Sequence, residues 1–257
     1  MYVDSHAHLN DDLLYPEADA IIQRAKNAGI DKIVCAGYDK SSNNRAIELA
    51  RKHSMVYAAI GFHPEYAADT TEDDLAWLKA NCHQEKVVAI GEIGLDYHWD
   101  KTSMEKQKEL FARQIGIAEE ANLPIVVHMR DATEDALSIL KNKKSPGFPG
   151  VMHCFSGSVE SAEAFMKTGM FISLAGTVTF KNARQPKEVA LSVDLEKLLI
   201  ETDSPYLAPA PYRGKTNEPA YVVKVAEEIA KIKGLPVETV AAKTSANAER
   251  LFGFTHQ

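Results

Sequence analysis

The sequence predicts an α/β fold, a single (β/α)8 TIM barrel with extra helices at its C-terminal end. Short runs rich in Val and Ile alternate eight times with stretches of helical period along the 257 residues. These runs are nearly continuous in apolar residues, which is typical of parallel strands covered on both faces. Eight such units in a chain of this length match the usual size of a TIM barrel. A doubly wound open sheet is the alternative fold.

The predicted strands leave room for a helix between each pair. They span Tyr2 to His6, Lys32 to Gly37, Val56 to Gly61, Val87 to Glu92, Pro124 to His128, Gly150 to His153, Met170 to Ala175 and Leu198 to Asp203. No linker of Gly, Ser or Pro composition divides the chain. We therefore expect residues 1–257 to form one domain.

Helical spacing and capping residues predict the intervening helices. One helix face is formed by Ala18, Ile21, Ile22, Ala25 and Ala28, and Gly29 then ends that helix. Residues that commonly begin helices precede several other apolar stripes: Thr71, Thr102 with Glu105, Asp131 and Ser158. After the last strand, Pro219 opens a helix, and two further helical pieces are expected between Pro236 and Phe252.

Composition limits the classes of partner and compartment. A net charge of −7 argues against a broad basic face for duplex DNA, although a nucleic acid held at one point remains compatible with it. Three cysteines without a Cys-x-x-Cys pair indicate reduced thiols. The first residues carry no basic segment followed by an apolar stretch, and no run is long enough to cross a bilayer. We expect a cytoplasmic protein with no membrane association and no obligate protein partner.

The first predicted strand ends in a pair of histidines. His6 and His8 are two residues apart, and residues at this spacing point to the same side of a strand. Both imidazoles therefore leave the strand end together, as a metal-binding pair would. Two surface or hydrogen-bonded histidines are the more common explanation of so short a motif, so the other strand ends decide its meaning.

Four other predicted strands also end in ligand-type side chains. These are Glu92, His128, His153 and Asp203. In a closed barrel such ends converge on one mouth. Each residue alone has an ordinary explanation, such as a loop carboxylate or a hydrogen-bonded core histidine. Their occurrence at five strand ends together predicts a metal site.

This ligand set favours two divalent ions per chain. Neutral imidazoles with carboxylates suit Zn²⁺, Mn²⁺, Co²⁺ or Mg²⁺, and there are six candidate ligands: His6, His8, Glu92, His128, His153 and Asp203. A pair of ions would activate a water and neutralise a phosphoryl oxygen or leaving group. We expect Glu92 to bridge the ions. Asp203 is placed to bind one ion and to accept the proton of the attacking water.

Seven segments together closely resemble the TatD-type deoxyribonucleases of the amidohydrolase superfamily. They are Val3–Leu9, Gly61–Pro64, Ile90–Tyr97, Val127–Arg130, His153–Gly157, Glu201–Pro205 and Arg213–Pro219. The resemblance covers essentially the whole chain. Many relatives in the superfamily have a carboxylated lysine at the fourth strand, whereas this sequence has Glu92, as in the TatD group.

The resemblance implies a metal-dependent phosphodiesterase that removes nucleotides from the 3′ end of single-stranded DNA. It implies that the six candidate ligands hold metal, and it places five further residues near the substrate: His63, Asp96, Arg130, Arg213 and Asn217. A barrel mouth also admits a flexible strand end more easily than a stiff duplex. His63, Tyr97, Phe155 and Tyr206 are candidates to stack on a terminal base.

Two other functional classes remain open. The same ligands could activate water against an ester or amide, as in a D-aminoacyl-tRNA deacylase. The chain could also be a metal-binding scaffold without turnover, although a complete ligand set with Asp203 beside it argues against this alternative.

Overall fold

The protein is a parallel eight-stranded barrel, as predicted. The computed structural model describes residues 1–98, 103–143 and 147–254. Neighbouring strands pair in parallel in the order β1 to β8: β1 (Tyr2–Ala7), β2 (Ile30–Ala36), β3 (Val56–Ile60), β4 (Val87–Asp96), β5 (Ile125–Arg130), β6 (Gly150–Met152), β7 (Met170–Leu174) and β8 (Leu198–Ile200). The barrel is nearly closed, because the Asp203 amide donates to the His6 carbonyl at 2.9 Å and the His8 amide donates to the Ser204 carbonyl at 2.7 Å.

The strand bounds differ most from the predicted ones at β4 and β8. Strand β4 continues four residues past Glu92 because Ile93–Asp96 still pairs with Val127–Arg130 of β5. Strand β8 ends three residues before Asp203. Asp203 has a φ of +55°, and its amide bonds to β1 and not to β7. The chain therefore turns at this residue, which brings its carboxylate into the barrel mouth.

Nine α-helices lie in the described part of the chain. They are α1 (Ala18–Asn27), α2 (Lys40–Lys52), α3 (Glu72–Asn81), α4 (Met104–Ala121), α5 (Thr133–Lys141), α6 (Val159–Met166), α7 (Arg184–Ser192), α8 (Val222–Lys233) and α9 (Val237–Phe252). None of these helices, as far as the described ranges go, has the length and hydrophobicity needed to cross a membrane.

Side-chain caps explain some predicted helix starts and not others. The hydroxyls of Thr71 and Ser158 accept backbone N–H bonds at the starts of α3 and α6, as predicted. Asp131 does not cap α5: it has a φ of +54°, and Ala132 precedes the helix without a side-chain cap. Thr102, the predicted cap of α4, lies outside the described residues.

The two predicted C-terminal pieces form one continuous helix, so that part of the prediction was wrong. Helix α9 has 16 residues, and its buried face repeats at helical spacing through Val240, Thr244, Ala248 and Leu251. The Thr244 hydroxyl donates to the Val240 carbonyl within the helix at 2.9 Å. The helix therefore continues through Thr244 without a break.

The barrel interior has its own apolar cluster. It takes a side chain from every strand, including Val3, Val34, Val126 and Leu199, and residues at the end of α9 join it. A larger cluster packs the helices against the outside of the strands. Apolar side chains therefore fill the body of the barrel, and the polar side chains near the carboxyl ends of the strands lie at its mouth.

Candidate metal centre

All six predicted ligands meet at the carboxyl ends of the strands. Five of them are buried, and His128 is partly exposed. Their nitrogen and oxygen atoms form overlapping groups close enough to hold ions: His6, His8 and Asp203; His6, Glu92 and His153; and His63, Glu92 and His128. The convergence expected for a closed barrel is therefore present, with His63 as an additional member.

One ligand group, formed by His6, His8 and Asp203, surrounds one oxygen of Glu92. The Nε2 atoms of His6 and His8 are 3.1 Å apart, and they lie 3.4 and 3.5 Å from Glu92 Oε2. The same two nitrogens lie 3.6 and 3.4 Å from Asp203 Oδ1. Four ligands arranged tetrahedrally at ~2.1 Å from a zinc-type ion would be roughly 3.4 Å from one another. The spacing of these atoms therefore fits a single divalent ion.

The other ligand group, formed by His128 and His153 with His63, surrounds the second oxygen of Glu92. Oε1 lies 2.9 Å from both His128 Nδ1 and His153 Nε2. His63 Nε2 lies 3.4 Å from the same oxygen, and the His128 and His153 nitrogens are 3.2 Å apart. Sequence reasoning placed His63 with the substrate, whereas its position offers a ligand atom to this group.

Buried charges of opposite sign stabilise the cluster. Burial alone would raise the pKa of Glu92, but the charges of His153 and His63, with hydrogen bonds from His128 and His153, hold it well below its usual range. Burial alone would lower the pKa of His8, but the hydrogen bond to Asp203 and the charge of Glu92 raise it to about 9. Imidazoles must be deprotonated to bind a metal, so metal binding at this site releases protons.

Two further carboxylates orient the histidines. Asp96 Oδ2 lies 2.9 Å from His128 Nε2, on the ring edge opposite Glu92. Glu201 Oε1 lies 3.3 Å from His153 Nδ1 and accepts the Cys154 amide at 2.7 Å. A carboxylate bonded to the second nitrogen fixes the orientation and tautomer of a metal-binding imidazole. Asp96 therefore contacts a ligand and not the cavity, and Glu201 performs a similar role that the sequence reasoning had not assigned.

Besides Asp96, two more of the residues expected near the substrate are not among those that line the cavity above the ligands. Asn217 is fully buried, and its amide donates to the Thr202 and Tyr206 carbonyls at 2.8 and 2.6 Å. Asn217 therefore holds the loop after β8 in place, and contact of this residue with the substrate stays a prediction. Arg213 is exposed, and its guanidinium stacks 3.9 Å from the centre of the Phe180 ring.

A cavity of about 480 Å³ opens above the clustered ligands. Arg130 lines it, together with Tyr38, Tyr66 and Tyr206. The Tyr38 and Tyr66 rings are stacked with centroids 6.2 Å apart, and the centroids of the Tyr38 and His8 rings are 5.6 Å apart. Sequence reasoning overlooked Tyr38 and Tyr66, although each follows a strand end.

Two predicted stacking residues are not available to a ligand. Tyr97 is buried, with its hydroxyl bonded to Asp135 at 2.7 Å, and Phe155 is buried against Phe165. Both therefore pack beneath the loops. Tyr206, at 50% exposure, is the predicted stacking residue that the cavity presents most openly.

Comparison with known proteins extends the likeness over nearly the whole chain. Residues 3–253 match the family model described as TatD related DNase. A Bacillus subtilis protein named "Uncharacterized metal-dependent hydrolase YabD" is 50% identical over 98% of this chain and 99% of its own length. The Escherichia coli K12 protein named "Uncharacterized metal-dependent hydrolase YcfH" is 39% identical over 97% and 95% of the two chains.

A solved structure shows the same likeness in three dimensions. The crystal structure of YJJV, a TatD homologue from Escherichia coli K12, superimposes with a TM-score of 0.93 at 30% identity, covering 99% of this chain and 98% of that one. Sequence and fold therefore agree along the full length of the barrel. The chain belongs to the TatD-related DNase family and is a hydrolase.

Proposed function

We propose that this protein is a divalent-metal-dependent phosphodiesterase that removes nucleotides from the 3′ end of single-stranded DNA. The observation that carries the proposal is Glu92, which presents one oxygen to each of two ligand groups at the floor of an open cavity. An arginine on the cavity wall adds a phosphate-binding group next to these ligands.

The two ligand groups would each hold one divalent ion, Mg²⁺, Mn²⁺, Zn²⁺ or Co²⁺. His6, His8 and Asp203 would bind the ion on the Oε2 side of Glu92. His128 and His153, with His63, would bind the ion on the Oε1 side. Ions bound in this way polarise phosphoryl oxygens and lower the pKa of water.

Asp203 would accept the proton of the attacking water. The hydrogen bond from His8 and the charges of His153 and His6 lower the pKa of Asp203, although burial alone would raise it. Its side chain is 13% exposed and lines the cavity. It is therefore ionised at neutral pH and reachable from the cavity, as a general base must be. Glu92, shared by both groups, would hold the ions at a fixed separation.

Arg130 would grip the phosphate next to the cleaved bond, since a guanidinium can form two parallel hydrogen bonds to phosphate oxygens. Tyr38, Tyr66 and Tyr206 would stack on the terminal base, a contact that accepts any base. Asp96 and Asn217 would act indirectly, through His128 and the loop after β8. Arg213 would contact phosphate farther from the cavity floor.

A single-strand end fits the available space and charge. The cavity lies within the usual range for a small-ligand site, roughly 300–1,000 Å³. With a net charge of −7, the chain is poorly suited to hold a duplex by broad electrostatic attraction. Cys35, Cys82 and Cys154 are free thiols, which supports an activity in the cytoplasm.

The test is a time course on single-stranded oligonucleotides labelled at either end, with metal-reconstituted protein. We expect the 5′-labelled strand to shorten one nucleotide at a time and the 3′-labelled strand to release a labelled mononucleotide at once. Asp203→Asn serves as the inactive control. An intact oligonucleotide alongside cleavage of D-aminoacyl-tRNA would favour the deacylase, and rapid nicking of closed circular duplex would contradict the exonuclease.

A further inference from the structure

Charge is divided unevenly around the barrel mouth. The connection after β1, residues 8–17, carries Asp11, Asp12 and Glu17 without any Lys or Arg, and the connection after β3, residues 61–71, carries two further carboxylates without any Lys or Arg. The connection after β7, residues 175–183, carries only Lys181. After β8, Glu201 and Asp203 belong to the ligand cluster, and residues 204–217 beyond them carry only Arg213 and Lys215. The connections after β1 and β3 are therefore acidic and those after β7 and β8 are basic. Asp12 is paired with Arg45 at 2.6 Å, and Asp11 accepts a hydrogen bond from the Tyr206 hydroxyl at 3.1 Å.

The basic side is one continuous surface. The Ala210 amide donates to the Thr179 hydroxyl at 2.8 Å, and Arg213 stacks on Phe180, next to Lys181. A Cβ atom at Gly176 would lie only 2.1 Å from the Leu207 carbonyl, so the two loops are in direct contact. We name this surface the β7/β8 rim, defined by Lys181, Arg213 and Lys215.

The cations of the β7/β8 rim are available to a ligand. All three residues are exposed. In the part of the chain that the structure describes, no carboxylate pairs with any of them. Arg184, farther along the chain, is already paired with Glu188 at 2.8 Å, so it is not part of the β7/β8 rim.

The β7/β8 rim is also adjacent to the cavity. Tyr206 belongs to the same loop as Arg213, and it lines the cavity 6.1 Å from the His8 ring. The fully buried Asn217 bonds to the Tyr206 carbonyl and so fixes this loop relative to the strand end. On the opposite wall, Glu65 lines the cavity with its side chain 51% exposed.

We propose that the β7/β8 rim is a phosphate track: the part of a single strand that lies upstream of the cleaved bond leaves the cavity past Tyr206 and places its phosphates on Lys181, Arg213 and Lys215. The inference rests on the proposed function for the position of the strand end. A polyanion is repelled from the side bearing Glu65 and attracted to the side bearing unpaired cations. Activity should therefore depend on substrate length over several nucleotides beyond the cleaved bond.

The test compares kcat/KM for oligo-dT of two, four, eight and sixteen nucleotides. For wild type we expect kcat/KM to rise about tenfold or more between the dinucleotide and the octamer and then level off, because three phosphate contacts are added within that length. The triple variant Lys181→Gln, Arg213→Gln and Lys215→Gln should lose most of this rise, judged as the ratio of long to short substrate within each protein.

A matched control removes the same charge elsewhere. Lys26, Lys167 and Lys231 are exposed and lie at or next to the last turns of helices, away from the strand ends. The triple variant Lys26→Gln, Lys167→Gln and Lys231→Gln should keep the wild-type length dependence. If both triple variants change it equally, net charge and not a track explains the effect, and the proposal is overturned.

An equilibrium measurement separates the track from catalysis. Fluorescence anisotropy of 5′-fluorescein oligo-dT of twelve nucleotides, followed from 50 to 200 mM salt, should give a log–log slope shallower by about 2 for the rim variant than for the control, since each single-strand phosphate contact contributes about 0.7. Equal slopes would overturn the track even if wild type degrades DNA. A wild type that binds oligo-dT through the rim but cleaves no length would contradict the proposed function alone.

Discussion

At the scale of single residues, Glu92 and Asp203 are both buried carboxylates, but their surroundings give them different tasks. Glu92 faces imidazoles on both of its oxygens. Asp203 faces His6 and His8 through one oxygen and reaches the cavity with the rest of its carboxylate. Loss of Glu92 should therefore remove the connection between the two groups, whereas a neutral amide at residue 203 should mainly remove a proton acceptor.

We predict that Glu92→Ala lowers the number of bound ions, whereas Asp203→Asn lowers turnover more than metal content. A missing general base typically reduces kcat by about 10²–10⁴-fold. Metal content by mass spectrometry after dialysis, together with kcat on an oligonucleotide, measures both effects. Equal loss of metal in the two variants would remove the distinction between their roles.

The sequence predicted which side chains meet at the barrel mouth better than it predicted the contacts of their neighbours. His6, His8 and Asp203 lie at or just after strand ends, so convergence of the strands was sufficient to place them together. Asp96 is the last residue of β4, but its contact with His128 depends on the direction in which a side chain 32 residues away points. Burial of Asn217 likewise follows from the course of a loop, which no local pattern reports.

At the scale of secondary-structure elements, the close pairing of β4 and β5 positions Glu92 relative to His128. Gly94 is the Cα partner of His128 in this pair. It has a φ of +147°, and a Cβ atom there would lie 1.9 Å from the His128 carbonyl oxygen. Because the clash is with backbone, only separation of the strands could relieve it.

We expect Gly94→Ala to lower the free energy of unfolding by about 3 kcal/mol or more, from strain and overpacking, and to weaken metal binding. Denaturant titration and metal content are the measurements. Gly116→Ala is the control, since no atom lies within 4 Å of its added Cβ and alanine in helix α4 should stabilise by about 1 kcal/mol. A fully stable, metal-loaded Gly94→Ala protein would contradict this account of the strand pair.

Lys143 connects the end of α5 to the starts of β6 and β7. Its Nζ donates to the Phe148 and Thr168 carbonyls at 2.8 and 3.1 Å. Burial, offset in part by the charge of Glu119, lowers the pKa of Lys143 from 10.5 to about 8. Between pH 8 and 10.5 the unfolded chain therefore binds more protons at this amine than the folded protein does, and the stability that it contributes rises with pH.

We predict that the free energy of unfolding of wild type, minus that of Lys143→Met, increases between pH 8 and 10.5 by at most about 3 kcal/mol and is flat below pH 8. Urea titrations across this range measure the difference. Lys167→Met, at an exposed position, should show no such increase. A difference that falls with pH would show that burial does not depress the amine.

Element boundaries were the least predictable part of the fold. The apolar runs identified all eight strands, but they could not show that β4 continues beyond Glu92, because that extension depends on pairing with β5. Nor did they show where β8 ends, since Glu201 to Asp203 read as a continuation of the strand until Asp203 turns with a positive φ. The residues of each segment were sufficient to predict whether it is a strand or a helix. The residue at which a strand ends depends on its pairing with neighbouring strands.

At the scale of the whole molecule, folding and chemistry use different parts of the barrel. Apolar clusters fill the interior and the layer beneath the helices, whereas the ligands lie at the mouth. The sequence predicted this separation of folding from chemistry, because five of the apolar runs that form strands end in ligand-type residues. The rim charges were present in the sequence, but their grouping required the loop contacts.

Removal of metal with a chelator should therefore abolish hydrolysis while leaving the far-UV circular dichroism spectrum largely unchanged. The melting temperature should fall, since an ion that binds only the folded state stabilises it. Activity should return when a divalent ion is added back. Global unfolding on chelation would mean that the ions, and not the apolar clusters, hold the barrel together.

The most direct test of the central claim is anomalous X-ray diffraction from crystals grown with Mn²⁺. The account predicts two anomalous peaks on either side of Glu92, one beside its Oε2 with His6, His8 and Asp203, and the other beside its Oε1 with His128 and His153. A single peak, or two peaks that do not share Glu92, would contradict it.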